Sequence, residues 1–173
     1  MNKTLNDVKK REKPNDVFIT PLQLAKNHID MIPHNENDVW YDPFKNNGSY
    51  YNQFPNENKL WSEILEGKDF FEFNENIDVI CSNPPYSLMD KVLKKSIELN
   101  PHTISYLIGI HNLTTRRIEY MEKAGYYITK IHLTKVFKWF GMSIIVIWEK
   151  NKNGIIDYDR TIWKNEEKSK DKK

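Results

Sequence analysis

The apolar residues of this chain recur with two spacings, and the switches between them mark out its elements. In "TPLQLAKNHIDMIP" Leu22, Ala25, Ile29 and Ile32 fall near the helical period, and Thr20 followed by Pro21 has the chemistry of a helix start. This predicts a helix over 21–32. "DVWYDPF" (38–44) is an aromatic and β-branched run closed by Pro43 and the turn-forming "NNGS" cluster, so it reads as a strand. "KLWSEI" is a weaker strand, and "IDVICSN" (77–83) is a continuous apolar run of the sort covered on both faces. A helix, "LMDKVLKKSIEL", comes next, with Leu88, Val92, Leu93 and Ile97 along one side. Ser87 is placed to cap it and Asp90 to complete a capping box. "TISYLIGI" follows as strand, "TTRRIEYMEKAG" as helix ending at Gly125, and "YYITKIHLTKVF" and "MSIIVIWEK" as two further strands.

Strand and helix alternate through the middle of the chain, so the fold class is α/β, with a mainly parallel sheet and helices on both faces. The last two strands break the pattern. Only "KWFG" joins them, too little for a crossover, so they form an antiparallel hairpin. Residues 1–16 and the tail 164–173 are charged, poor in apolar residues and aperiodic, which predicts two mobile ends around a single domain at 17–163.

Lys and Arg number 26 against 24 Asp and Glu, a formal charge of +2. The molecule is therefore no general polycation, and any nucleic-acid binding must use a local patch. Cys81 is the only cysteine, which excludes an internal disulfide and a cysteine-based zinc site and makes a cytoplasmic location the default. The five histidines lack metal-ligand spacing, so no metal is expected. No run of about 18 apolar residues occurs and the first residues have no apolar core, so neither a membrane span nor a signal peptide is expected. Phosphate loops of the Gly-x-x-x-x-Gly-Lys type and Gly-x-Ser-x-Gly elbows are missing too.

In an open α/β sheet, ligands bind beyond the carboxyl ends of the strands, where three polar-rich segments fall. In "DPFKNNGSYY", Asn46, Asn47 and Gly48 tolerate positive φ. They can bring backbone N–H groups close to a ligand, or simply turn a strand into a helix. In "EILEGKDFF", Glu63 and Asp69 can accept the hydroxyls of a ribose, or stand as ordinary loop carboxylates. "SNPPYS" is more specific. Its prolines lack N–H groups and hold Asn83 and Pro84 extended. Two acceptors at fixed separation result, the Asn83 side-chain oxygen and the Pro84 carbonyl, beside the Tyr86 ring. Such a pair suits a planar NH2 group and the ring suits the face of a base; the plain alternative is a Pro-Pro turn ending a strand.

"NPPY" (83–86) resembles the signature of the S-adenosylmethionine-dependent amino-methyltransferases, above all the adenine-N6 DNA methyltransferases. Other segments extend the resemblance over residues 17–150, in the gamma-type motif order. "FITP" (18–21) is similar to the motif over the methionine end of the cofactor, and "DPFKNNG" (42–48) to the Asp-Pro-Phe-x-Gly-x-Gly cofactor loop. "WSEI" and "GKDFF" are similar to the ribose- and adenine-contacting motifs. The resemblance implies a Rossmann-like class I methyltransferase fold with a seven-stranded sheet. It implies S-adenosylmethionine as cofactor, held by Phe18, Thr20, Pro21, Asp42, Pro43, Phe44, Asn46, Gly48, Glu63, Asp69, Phe70 and Asn83. Catalysis would rest on Asn83, Pro84, Pro85 and Tyr86, with Asn83 and the Pro84 carbonyl accepting the two hydrogens of an adenine amino group. Tyr86 would stack on the base and Trp139 or Phe140, from the hairpin, would cover its other face. Lys138 and Arg116, with Lys135 and Arg117, would hold phosphates, or else belong to a solvated face with ion pairs to Glu119 and Glu122.

The partner so implied is DNA, single-stranded or duplex with the base flipped out. Two departures from the family pattern bear on this. Asn46 replaces the first loop glycine, and no target-recognition domain follows the last strand. An RNA adenine, a protein glutamine amide, a protein partner that supplies specificity, and a non-catalytic subunit therefore stand as alternatives.

Overall fold

The computed structural model describes residues 18–136 and 141–161, and each segment read as helix or strand is found, trimmed at its ends. In chain order these are α1 (Leu22–Asp30), β1 (Trp40–Asp42), β2 (Lys59–Trp61), β3 (Val79–Ser82), α2 (Met89–Leu99), β4 (Thr103–Gly109), α3 (Thr115–Lys123), β5 (Tyr126–Thr134) and β6 (Ser143–Lys150). The strands form one sheet in the order β2-β1-β3-β4-β6-β5. β2, β1, β3 and β4 run parallel, and β6 is antiparallel to both β4 and β5, as the short final connection requires. Six strands are present among the described residues, not the seven that the resemblance implies. Between β2 and β3 the chain makes two 3₁₀ turns, Ile64–Glu66 and Phe70–Glu72. Each is closed by the carboxylate before it: Glu63 accepts from the Leu65 N–H and Asp69 from the Phe71 N–H. Backbone committed to these caps has no further strand to offer.

Side chains along β4 and β6 divide alternately between two cores, the expected result of a period of two in strands covered on both faces. Ile104, Tyr106 and Ile108 with Ile144, Val146 and Trp148 meet Val92, Leu93, Ile118 and Met121 of α2 and α3. Leu107 with Ile145 and Ile147 meets Ala25 and Ile29 of α1. Helices thus cover both faces, and each fully buried aliphatic side chain contributes about 1.5–3 kcal/mol to holding them there.

Two expected caps do not form. Pro21 itself is the N-cap residue of α1, without a side-chain bond, because the Thr20 hydroxyl accepts instead from Asn83 Nδ2 at 3.2 Å. Likewise Leu88, not Ser87, is the N-cap residue of α2. A 3₁₀ turn over Tyr86–Leu88 occupies the expected cap, and Asp90 turns outward to Arg116 and Arg117. The α3 start is conventional, with the Thr114 hydroxyl accepting from the Arg117 N–H, and Gly125 beyond its end takes φ +85°. The two charged ends expected to be mobile lie outside the described residues, as do Lys138, Trp139 and Phe140.

Candidate active site

β1 sits between β2 and β3, so the chain leaves it to one side and returns on the other. At such a switch the flanking loops diverge and a crevice opens beyond the carboxyl ends. Asp42 ends β1 and Ser82 ends β3. The Ser82 hydroxyl donates to Asp42 Oδ1 at 2.6 Å and ties the two strand ends together. Asp42 is fully buried and its Oδ2 has no hydrogen-bond partner among the described residues. Burial pushes its carboxyl up to about 7, against the opposing interactions with Ser82 and with the backbone N–H groups of Phe44 and Tyr51.

The loop after β1 turns on two left-handed residues, Asn46 at φ 49° and Gly48 at φ +83°. Asparagine tolerates this region better than other side chains, so the conformation expected of a loop glycine is kept by Asn46. Its N–H donates to Glu63 Oε2 at 2.8 Å, which binds the β1 loop to the β2 loop. A Cβ on Gly48 would come within 2.6 Å of the Asn52 side chain.

These loops wall a solvent-open groove of about 1070 Å³. Phe18, Thr20, Phe44, Asn46, Glu63 and Asn83, all expected to contact cofactor, line it together with Pro85. The other expected cofactor residues lie elsewhere. Asp42, Pro43, Gly48 and Phe70 are buried and do not line the groove, and Phe70 packs edge-on against Phe44 at 5.1 Å. Pro21 is exposed at the start of α1, and Asp69 faces a separate hollow with Lys59, Trp61 and Lys68.

A second, much narrower hollow adjoins the first, lined by Phe18, Ile19, Thr20, Asn83, Tyr86, Leu107, Val136 and Ser143. Phe18, Thr20 and Asn83 belong to both hollows. Asn83 therefore stands at the junction between the two hollows. Because its Nδ2 donates to Thr20, the side-chain oxygen is the acceptor left to serve a ligand. Pro84 is buried, and the Pro85 carbonyl takes the Leu88 N–H at 3.1 Å, so the following turn begins from Pro85 and not from Pro84.

Arg116 is not brought to either hollow. With Arg117 it grips the exposed Asp90 at 2.6 and 2.7 Å, not the glutamates of its own helix, and those two arginines hold the Asp90 carboxyl below its ordinary range. Glu119 pairs with Lys123 and Arg160, and Glu122 accepts from the Tyr158 hydroxyl. Among the described residues no cluster of three His, Cys, Asp or Glu side chains is placed to hold a metal ion.

Sequence reasoning missed the support behind the site. The Ser105 hydroxyl donates to the Val146 carbonyl at 3.2 Å, so it accepts from His28 Nε2 at 2.6 Å. His28 Nδ1 is then the acceptor for the Tyr50 hydroxyl at 3.0 Å. Burial lowers the His28 pKa to about 3, which keeps the ring neutral, and Tyr50 presents its other edge to the groove. Ile64 and Leu65 also line the groove while largely exposed, and their signal was two aliphatic residues set between acids just after a strand.

No family model matches the sequence, and no curated protein matches it. Solved structures do. The magnesium protoporphyrin IX methyltransferase of Synechocystis PCC 6803, with bound SAM, superposes with a TM-score of 0.58 at 10% identity, over 87% of this chain and 85% of that one. A methyltransferase from Pyrococcus furiosus gives 0.56 at 17% identity, over 87% and 94%. The fold is that of the methyltransferases. A tRNA (uracil-54, C5)-methyltransferase of Pyrococcus abyssi, in complex with S-adenosyl-L-homocysteine, gives 0.54 at 14% identity over 79% and 41%. Methyltransferases named for substrates as different as a porphyrin and a tRNA uracil share this fold, so the fold by itself names no substrate.

Proposed function

We propose that the protein is an S-adenosylmethionine-dependent methyltransferase acting on the exocyclic amino group of adenine in DNA. The observation that carries this reading is the position of Asn83, with an acceptor oxygen at the opening between the groove and the pocket. The groove fits the cofactor by its chemistry: a carboxylate, Glu63, on the wall after β2, the tight turn at Asn46, aromatic Phe18 and Phe44, and exposed Ile64 and Leu65 to lie against a ring. When bound there, S-adenosylmethionine supplies a methyl group on a sulfonium; on transfer the sulfur–carbon bond breaks, a nitrogen–carbon bond forms, and the amine's surplus proton passes to water.

The chain's own part is to hold and orient. Each Glu63 oxygen accepts one backbone N–H and has a lone pair left for a ribose hydroxyl. The lone pair of an adenine amine is delocalised into its ring. Two acceptors, Asn83 Oδ1 and the Pro84 carbonyl, engage both of its hydrogens and favour a lone pair directed toward the groove. Tyr86, on the pocket wall, offers its ring to the base. No side chain has to titrate.

Transfer of labelled methyl from S-adenosylmethionine to adenine in DNA tests the proposal. Asn83→Ala is expected to abolish transfer while calorimetry still shows cofactor binding; full activity in that variant would contradict the assignment. A second reading draws on the apolar side chains exposed at this end of the sheet, Ile19, Ile110, Leu133 and Met142, which suit a protein surface presenting a glutamine amide. Offering duplex DNA, single-stranded DNA, RNA and a glutamine peptide to one preparation separates the two.

A further inference from the structure

Ser143 opens β6, and because β6 is antiparallel its first residue lies at the carboxyl ends of the parallel strands, opposite Gly109 of β4 and Thr134 of β5. The residue is 1% exposed and lines the smaller pocket with Asn83 and Tyr86. Among the described residues its Oγ has no hydrogen-bond partner. Three hydroxyls nearby are engaged: Thr20 Oγ1 by Asn83, Ser105 by His28 and Val146, and Ser82 by Asp42. A buried hydroxyl with no partner is unfavourable, and Ala or Val would fill the same place on the strand without that cost. An orphan hydroxyl on the wall of a pocket shared with Asn83 is the mark of a group whose partner arrives with a ligand.

We infer that Ser143 is a specificity-determining residue whose hydroxyl donates a hydrogen bond to a ring nitrogen of the target base beside the amino group. The inference rests on the adenine reading above and adds a residue to it. Its direction follows from the inventory of polar groups. With Asn83 and Pro84 accepting both amino hydrogens, the polar atoms left on adenine are ring nitrogens, all acceptors, so the serine must donate. Acceptors on one side and a donor on the other read an amine next to a ring nitrogen, a pattern that a hydrophobic pocket alone reads poorly.

The test compares wild type with Ser143→Ala on oligonucleotides carrying adenine, 1-deazaadenine or 7-deazaadenine, each analogue having C–H in place of one nitrogen flanking the amine. Wild type is expected to lose about tenfold in kcat/KM on one analogue, the worth of one hydrogen bond, and Ser143→Ala to lose about tenfold on adenine and to discriminate no further. Without ligands, Ser143→Ala is expected to melt about 2–4 °C higher, since it removes an unsatisfied group. A lower midpoint would assign the hydroxyl a structural partner and overturn the inference. So would equal selectivity in the two proteins, or a wild type indifferent to both analogues. Absence of adenine transfer in wild type would overturn the function itself, whereas transfer with an indifferent Ser143→Ala overturns only the role of the serine.

Discussion

Asp42 provides a quantitative test of how the crevice is built. Its carboxyl is fully buried, one oxygen is held by Ser82 and the Phe44 N–H, and the other has no partner among the described residues. Burial raises its pKa from 3.8 to about 7. A carboxyl that titrates higher in the folded than in the unfolded chain makes folding bind a proton, so its ionisation lowers stability as pH rises from about 4 to about 7. At about 1.4 kcal/mol per unit, the roughly three units correspond to about 4 kcal/mol. His28 acts in the opposite sense: its folded pKa, about 3, lies below the ordinary 6.5, so stability is lost as pH falls below that value. Over the acid range the two partly cancel in the wild-type curve, and only a difference isolates Asp42. Asp42→Asn keeps the acceptor for Ser82 and removes the titration, while His28 is common to both proteins. Urea unfolding at about pH 4 and about pH 8 is expected to show the stability difference shifting by about 4 kcal/mol in favour of the variant at the higher pH. Parallel curves for the two proteins would mean that the carboxyl titrates alike in the folded and unfolded chain, and the account of an acid desolvated by burial would be wrong.

Gly48→Ala is expected to destabilise by about 1–2 kcal/mol through its positive φ alone, with displacement of Asn52 adding to it, as measured by chemical denaturation. At Asn46, alanine is expected to cost about 1 kcal/mol and glycine little or nothing, since glycine suits φ 49° without strain; unfolding midpoints decide it. Cys81, buried and with its thiol pushed up by burial, is expected to resist a thiol reagent in the native protein and to react fully in denaturant. Arg116→Ala is expected to leave nucleic-acid affinity and its salt dependence unchanged, because Arg116 serves Asp90 away from both hollows, and a binding titration at two salt concentrations checks this.

What was legible in the chain was whatever depends on neighbours in sequence. The alternation in "TISYLIGI" and "MSIIVIWEK" translates directly into two cores, and the brevity of "KWFG" dictates the antiparallel partner. "NPPY" could be placed at a strand end because prolines act on the residues beside them. What failed were local signals overruled from afar. Thr20 reads as a cap, yet its hydroxyl serves Asn83, 63 residues away. His28, Tyr50 and Ser105 carry no mutual spacing in the sequence, since the links between them span 22 and 77 positions. Ser143 reads as a strand residue, and only the antiparallel entry of β6 brings it to the pocket.

That entry has a consequence for biosynthesis. β6 follows β5 in the chain but sits inside the sheet, between β4 and β5, and among the described residues β5 pairs with no other strand. A nascent chain that has emerged only as far as β5 leaves a long edge open on β4, a strand buried throughout in the finished sheet, and a ribbon with nowhere to dock. Interruption before residue 143 would therefore yield a sticky fragment rather than a smaller folded domain, and the pocket closes only once β6 has been made.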